Sequence, residues 1–176
     1  MAFYTVAELR SGGLRVAARG YTTADAVLQR RTAAVSDRDI FDIFLSHSFR
    51  DAPTVLGIAQ LLESQGFSVY VDWLVDRQLD RSEVNAATAA VLRKRMGQCQ
   101  SLIFATSTSS PSSKWMPWEL GYFDGLRGSG ISIMPIEEHE APGHRGQEYL
   151  ELYPAIEKLP VVGGRPMTAA VRPDGG

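Results

Sequence analysis

At 176 residues, with 44% hydrophobic and 22% charged residues, the chain is sized for one globular domain with a real core. A formal net charge of -2 leaves no electrostatic footprint for nucleic acid and no polybasic patch for a membrane surface. The one cysteine, Cys99, excludes an intrachain disulfide framework and a Cys-based zinc cluster, and makes a reducing, cytoplasmic setting the expectation.

The opening MAFYTVAELRSGG lacks the basic and apolar regions of a secretory signal. No run approaches the ~20 apolar residues that span a bilayer. Thr5-Val6-Ala7-Glu8 has capping-box spacing, and Gly12-Gly13 predicts an early stop, so a short first helix is expected. Thr22 or Thr23 can cap a second helix to about Thr32, with Arg30 and Arg31 placed for the C-terminal dipole. Residues 1–38 thus read as a helical N-terminal extension.

From Phe41 the pattern changes. Phe41 to Ser46 (FDIFLS) predicts a buried strand, and Asp51 to Gln65 an amphipathic helix ended by Gly66. Phe67 to Trp73 (FSVYVDW) predicts a second strand, Val75 to Val84 a charged loop, and Val84 to Gln98 an Ala-rich helix. Ser101 to Thr106 is the third strand, Ser113 to Leu126 the third helix of this unit, and Ile131 to Ile136 the fourth strand after a turn at Gly128 and Gly130. Glu137 to Gln147 reads as an acidic loop, Tyr149 to Glu157 as helical, and Leu159 to Val162 as a short edge strand. The tail from Gly163 reads as loose. Strand and helix signals alternate at βα spacing, which implies an α/β fold with a parallel sheet and helices on both faces.

In such a sheet the C-terminal strand ends share one edge, where ligands bind. The first strand runs into Ser46-His47-Ser48-Phe49, the second into Asp72-Trp73, and the third into Thr106-Ser107-Thr108. The next helix opens with Trp115 and Glu119, four apart and so on one face. Each has an ordinary structural role available. Ser46 and Ser48 suit helix caps, His47 an exposed or backbone-bonded loop position, and Asp72 a turn. Trp73 and Trp115 suit core packing, Cys99 a buried spacer, and Glu119 a helix-dipole partner. Their convergence on one edge is what suggests a polar-ligand cleft. No phosphate-binding glycine loop or nucleophile elbow is present. His139 and His144 fit no standard zinc spacing. The third strand lacks the Asp that a phosphoacceptor receiver needs there.

FDIFLSHSFRDA, GFSVYVDW and SLIFATSTSSPSSKWMPWELGY, in that order, resemble the bacterial Toll/interleukin-1 receptor (TIR) domain, including its Trp-x-x-x-Glu pattern. The match covers roughly Asp39 to Ile136, with weaker support to about Gly163, giving a domain over 39–163 and a loose tail over 164–176. The resemblance implies a flavodoxin-like, five-stranded parallel sheet. It also implies an enzyme that cleaves NAD between nicotinamide and ribose, releasing ADP-ribose or a cyclic isomer as a defence signal, as in Thoeris anti-phage systems. Glu119 then carries the catalysis. Trp115, Ser46, Ser48, Phe49, Asp72 and Trp73 form the expected substrate-binding set, with no metal. NAD enters as substrate, with no separate cofactor. Self-association and a downstream effector that answers the product are the expected partnerships; nucleic acid and membrane are not. The loop LVDRQLDRSEV lacks the Arg-Asp-x-x-Pro-Gly signature of receptor and adaptor members, which weighs against receptor-style signalling rather than catalysis. Two other readings fit the same residues: a non-catalytic TIR scaffold, and a nucleoside deoxyribosyltransferase-like enzyme.

Overall fold

The computed structural model describes residues 3–73, 85–107, 113–138, 148–162 and 165–171. In chain order these form β1 (Tyr4–Thr5), α1 (Val6–Arg19), α2 (Ala24–Ala34), β2 (Phe41–His47), α3 (Ala52–Glu63), β3 (Val69–Val71) and α4 (Ala86–Gly97). There follow β4 (Cys99–Thr106), α5 (Trp115–Arg127), β5 (Ile131–Glu137), a 3-10 turn (Glu148–Leu152), β6 (Ala155–Val162) and β7 (Arg165–Val171). The expected loop at 75–84 and most of the acidic stretch at 137–147 lie outside the described residues, as does Thr108.

Five strands run parallel in the order β3-β2-β4-β5-β6, which is the flavodoxin-like arrangement. Two more join them. β7 lies antiparallel against β6, and β1 pairs in parallel with the end of β5, Tyr4 opposite Ile136. Alternating side chains divide the core between the two faces. Ile43, Leu45, Val71, Ile103 and Ala105 pack with residues of α1, α2 and α3. Phe44, Tyr70, Leu102 and Phe104 pack with Leu92 and Met96 of α4 and with Met116, Leu120 and Phe123 of α5.

Local chemistry explains most boundaries. Thr5 and Glu8 close the expected capping box, and Thr23 caps α2. Asp51 caps α3 by accepting from Thr54 N at 3.1 Å, and Asn85 caps α4. Gly128, at φ 65°, ends α5 in the left-handed conformation.

Three expectations differ from the structure. Gly12 and Gly13 do not stop α1, which continues to Arg19. They lie where α1 crosses α3. A Cβ on Gly13 would sit 1.9 Å from Pro53 O, and one on Gly57 would sit 1.8 Å from Leu9 O. The glycines serve backbone contact between two helices, and a stop signal looks the same in one dimension. Second, Tyr149 to Glu157 is not one helix: Pro154 O accepts from Ile133 N at 2.9 Å, and the chain enters β6 at Ala155. Third, the tail expected to be loose from Gly163 includes β7, so β6 is not the sheet edge.

The N-terminal residues are part of this architecture. Leu9, Ala17, Ala24 and Leu28 are buried in the same cluster as α3 and the sheet. Arg31 grips Glu63 through two contacts, of 2.7 and 3.1 Å, which pins α2 to the end of α3.

Cys99 opens β4 fully buried, and its thiol donates to Arg95 O at 3.2 Å. Burial pushes its pKa up to about 12. The folded protein is therefore expected to resist iodoacetamide at pH 8 and to react only after unfolding in guanidinium. Labelling of the native chain at the rate of a free thiol would contradict this burial.

Candidate active site

The parallel strands deliver their ends to one edge, and pleating decides which side chains meet. Ser46 follows Phe44 by two, and Thr106 follows Phe104 by two, so both point toward α5. Leu45 pairs with Val71, so Asp72 stands beside Ser46 and on the same side of the sheet. His47 alternates to the opposite side, with Ile43 and Leu45.

Glu119 comes to this edge from α5. It is the fifth residue of that helix and only 3% exposed, and Ser46 is 1% exposed. The Ser46 hydroxyl donates to Glu119 Oε2 at 2.5 Å. A dipole-stabilising acid sits in the first turn facing water; the first turn of α5 holds no acid, and Glu119 is buried against the sheet. The burial of a carboxylate there has to be sustained by hydrogen bonds, and Ser46 supplies one. Ser46 therefore is no helix cap, and neither is Ser48, since Asp51 has that place.

Trp115 lies one turn before Glu119, as its spacing requires, and is buried. Its indole Nε1 has no hydrogen-bond partner among the described residues. The ring meets Trp118 edge-on at 5.4 Å, Trp118 stacks on Tyr122 at 5.5 Å, and the Arg93 guanidinium lies over both at 5.3 and 5.8 Å. This ladder holds the start of α5 against α4. It was not anticipated from the sequence, although the 115, 118, 122 spacing of aromatics on one helical stripe signals it.

Trp73 and Phe49 do not join Glu119. Both pack with the cluster on the α1–α3 side. Trp73 stacks on His47, with centroids 6.1 Å apart, and its Nε1 donates to Asp25 Oδ1 of α2 at 3.0 Å. His47 is buried rather than exposed; the inward alternation of Ile43 and Leu45, carried two residues on, already indicates that. Ser48 is half-buried past the end of β2. The structure thus groups Ser46, Asp72, Trp115 and Glu119 on one side of the sheet edge, and His47, Phe49 and Trp73 on the other.

Nine polar or charged residues are buried among the described ones, and six of them (Ser46, His47, Asp72, Thr106, Ser107 and Glu119) lie at this edge. Buried polar groups oppose folding unless satisfied, so their concentration marks a place selected for chemistry rather than stability. Hydroxyl donors beside an acid suit a polyhydroxylated ligand in which positive charge develops. Among the described residues, no group of three His, Cys, Asp or Glu is placed to hold a metal ion, and no helix is long and apolar enough to cross a membrane.

No family model matches the chain. It is 47% identical over 140 residues to a Bacillus cereus (strain MSX-D12) protein named probable 3' cyclic ADP-D-ribose synthase ThsB', covering 79% of this chain and 72% of that one. It is 30% identical over 102 residues to a Cytobacillus dafuensis protein named putative cyclic ADP-D-ribose synthase TIR2, covering 57% of this chain and 27% of that one. With the flavodoxin-like strand order, the Trp115–Glu119 pair on α5 and this identity across most of both chains, the protein belongs to the bacterial TIR-domain family of the Thoeris type.

Proposed function

We propose that the protein cleaves the bond between nicotinamide and ribose in NAD and closes the ADP-ribosyl group into a cyclic ADP-ribose isomer, made as a signal in antiviral defence. The observation that carries this is the buried Glu119 carboxylate, held by Ser46 at the C-terminal edge of a parallel sheet. The names of the two relatives, both cyclic ADP-D-ribose synthases, support the product class.

The chemistry fits a site with a single acid at its centre. Glycoside hydrolysis ordinarily needs one carboxyl group to protonate the leaving oxygen and another on the opposite side. In NAD the leaving group is a pyridinium. It takes the bonding electron pair and departs as neutral nicotinamide without a proton. What remains is to steady positive charge at the anomeric carbon, and a fixed carboxylate does that by charge and by hydrogen bonds to ribose hydroxyls. Attack by a nucleophile on the adenosine half, with loss of its proton, closes the ring. Attack by water gives ADP-ribose instead, so exclusion of water sets the product ratio. Mass spectrometry after incubation with NAD is the direct test: a cyclic isomer and free nicotinamide support the reading, and intact NAD at high protein concentration favours a scaffold.

Self-association belongs to the same proposal, on the strength of the resemblance to a family whose members often complete the cleft from two protomers. NAD turnover per mole of protein is expected to rise with protein concentration; a constant value across a hundredfold dilution argues for a self-sufficient protomer. A downstream effector that responds to the cyclic product is the proposed partner, and the cytoplasm, where NAD is available, the proposed location.

A further inference from the structure

The geometry points to Ser46 as a positioning residue for Glu119, one that governs the rate of bond cleavage rather than the affinity for NAD; this rests on the NAD-cleaving reading above. The Ser46 hydroxyl has one proton, and it is directed to Glu119 Oε2 at 2.5 Å. A proton so used is not available to a ribose or phosphate oxygen, so Ser46 leaves the expected substrate-binding set. The bond joins β2 to α5 across 73 residues of sequence, and both side chains are almost fully buried. A strand inside a sheet is a rigid mount, whereas a glutamate has three rotatable bonds and a large rotamer entropy to lose. Electrostatic stabilisation of a developing cation works only if the carboxylate is already aimed before the bond breaks. Ser46 does the aiming from the central strand, between β3 with Asp72 on one side and β4 with Thr106 on the other. The short distance and the burial make this a charge-assisted bond in a site of low polarity, the condition under which one hydroxyl matters most.

The test is steady-state kinetics of Ser46→Ala, Ser46→Thr and the double variant Ser46→Ala/Glu119→Gln in the full chain. Ser46→Ala is expected to lower kcat about 10–100-fold, with KM for NAD changed less than about twofold, as loss of a hydrogen bond to a charged group predicts. Ser46→Thr keeps the hydroxyl on a β-favouring side chain and is expected to recover most of the rate. In the Glu119→Gln background, Ser46→Ala is expected to remove little more, because the two residues act as one unit. A raised KM with kcat preserved overturns the proposal in favour of direct substrate contact, and a full additional loss in the double variant overturns it in favour of independent roles. A readout without NAD separates the two levels of inference: the carbon-13 carboxyl resonance of Glu119 is expected to shift in Ser46→Ala. An unmoved resonance sinks the Ser46 role whatever the activity. A wild-type chain that leaves NAD intact, with the resonance shifted, sinks the reaction and keeps the bond.

Discussion

Glu119→Gln is expected to lower NAD turnover by about 10²–10³-fold or more while leaving the fold in place, the loss typical of a preorganised electrostatic group. The substitution is nearly isosteric, so packing of α5 against the sheet is preserved. An amide oxygen can still accept from the Ser46 hydroxyl that now reaches Oε2 at 2.5 Å. Only the charge is lost. Since nicotinamide leaves without being protonated, no acid function is removed along with it, and the whole effect reports stabilisation of the ribosyl cation. Glu119→Asp keeps the charge but withdraws it by one methylene from Ser46, so it is expected to fail as well, by less than Gln if charge dominates and by more if placement does. Nicotinamide release measured by chromatography, with melting temperature as the folding control, decides this. Undiminished turnover in Glu119→Gln would falsify the enzymatic reading and leave the scaffold.

Gly57→Ala is expected to be the most destabilising single change outside the site. The added methyl would lie 1.8 Å from Leu9 O and 2.5 Å from Leu9 C, and both are backbone atoms of α1. A flexible side chain could swing aside; a helix backbone cannot. The two helices must separate along their contact, which also loosens Leu9 and Ala17 from the core. Ordinary overpacking costs about 1–3 kcal/mol, and a backbone-on-backbone clash exceeds that range. A domain has about 5–15 kcal/mol in total, so the expected result is a melting temperature lowered by about 10 °C or more, or insoluble protein. Gly125→Ala is the internal control. It lies in α5 with nothing within 4 Å of the added atom, and is expected to raise stability by about 0.5–1 kcal/mol. If Gly57→Ala melts with the wild type, the close crossing of α1 and α3 is not what holds them.

The parallel sheet was legible because its strands are short apolar runs separated by capped helices, and strand order followed once the family was suspected. Asp51, Asn85 and Thr23 sit where capping chemistry puts them. Glu119 and Trp115 were legible as a pair because helical spacing alone puts them on one face. The partner of Glu119 was not: Ser46 lies 73 residues away, and only the register of β2 against β4 with α5 packed above brings it there. The separation of Trp73 and Phe49 from Glu119 was also hidden, because a sequence shows that a strand has ended and not to which side the chain then turns. The glycines of α1 misled for a related reason. A missing side chain marks either a free backbone or a crowded one, and the choice depends on an α3 that lies dozens of residues ahead. β7 lay beyond the last hydrophobic periodicity that could be read, since its pairing is with β6 rather than with any internal pattern.

The pairing of Tyr4 and Thr5 with Ile136 and Glu137 has a consequence for biosynthesis. The first strand to leave the ribosome waits for nearly the last parallel one before it finds its seat. Helices α1, α2 and α3 can dock while translation proceeds, but the sheet closes over its amino end only late. That order of events makes β1 the slowest contact to arrive and the earliest to exchange its amide hydrogens with solvent.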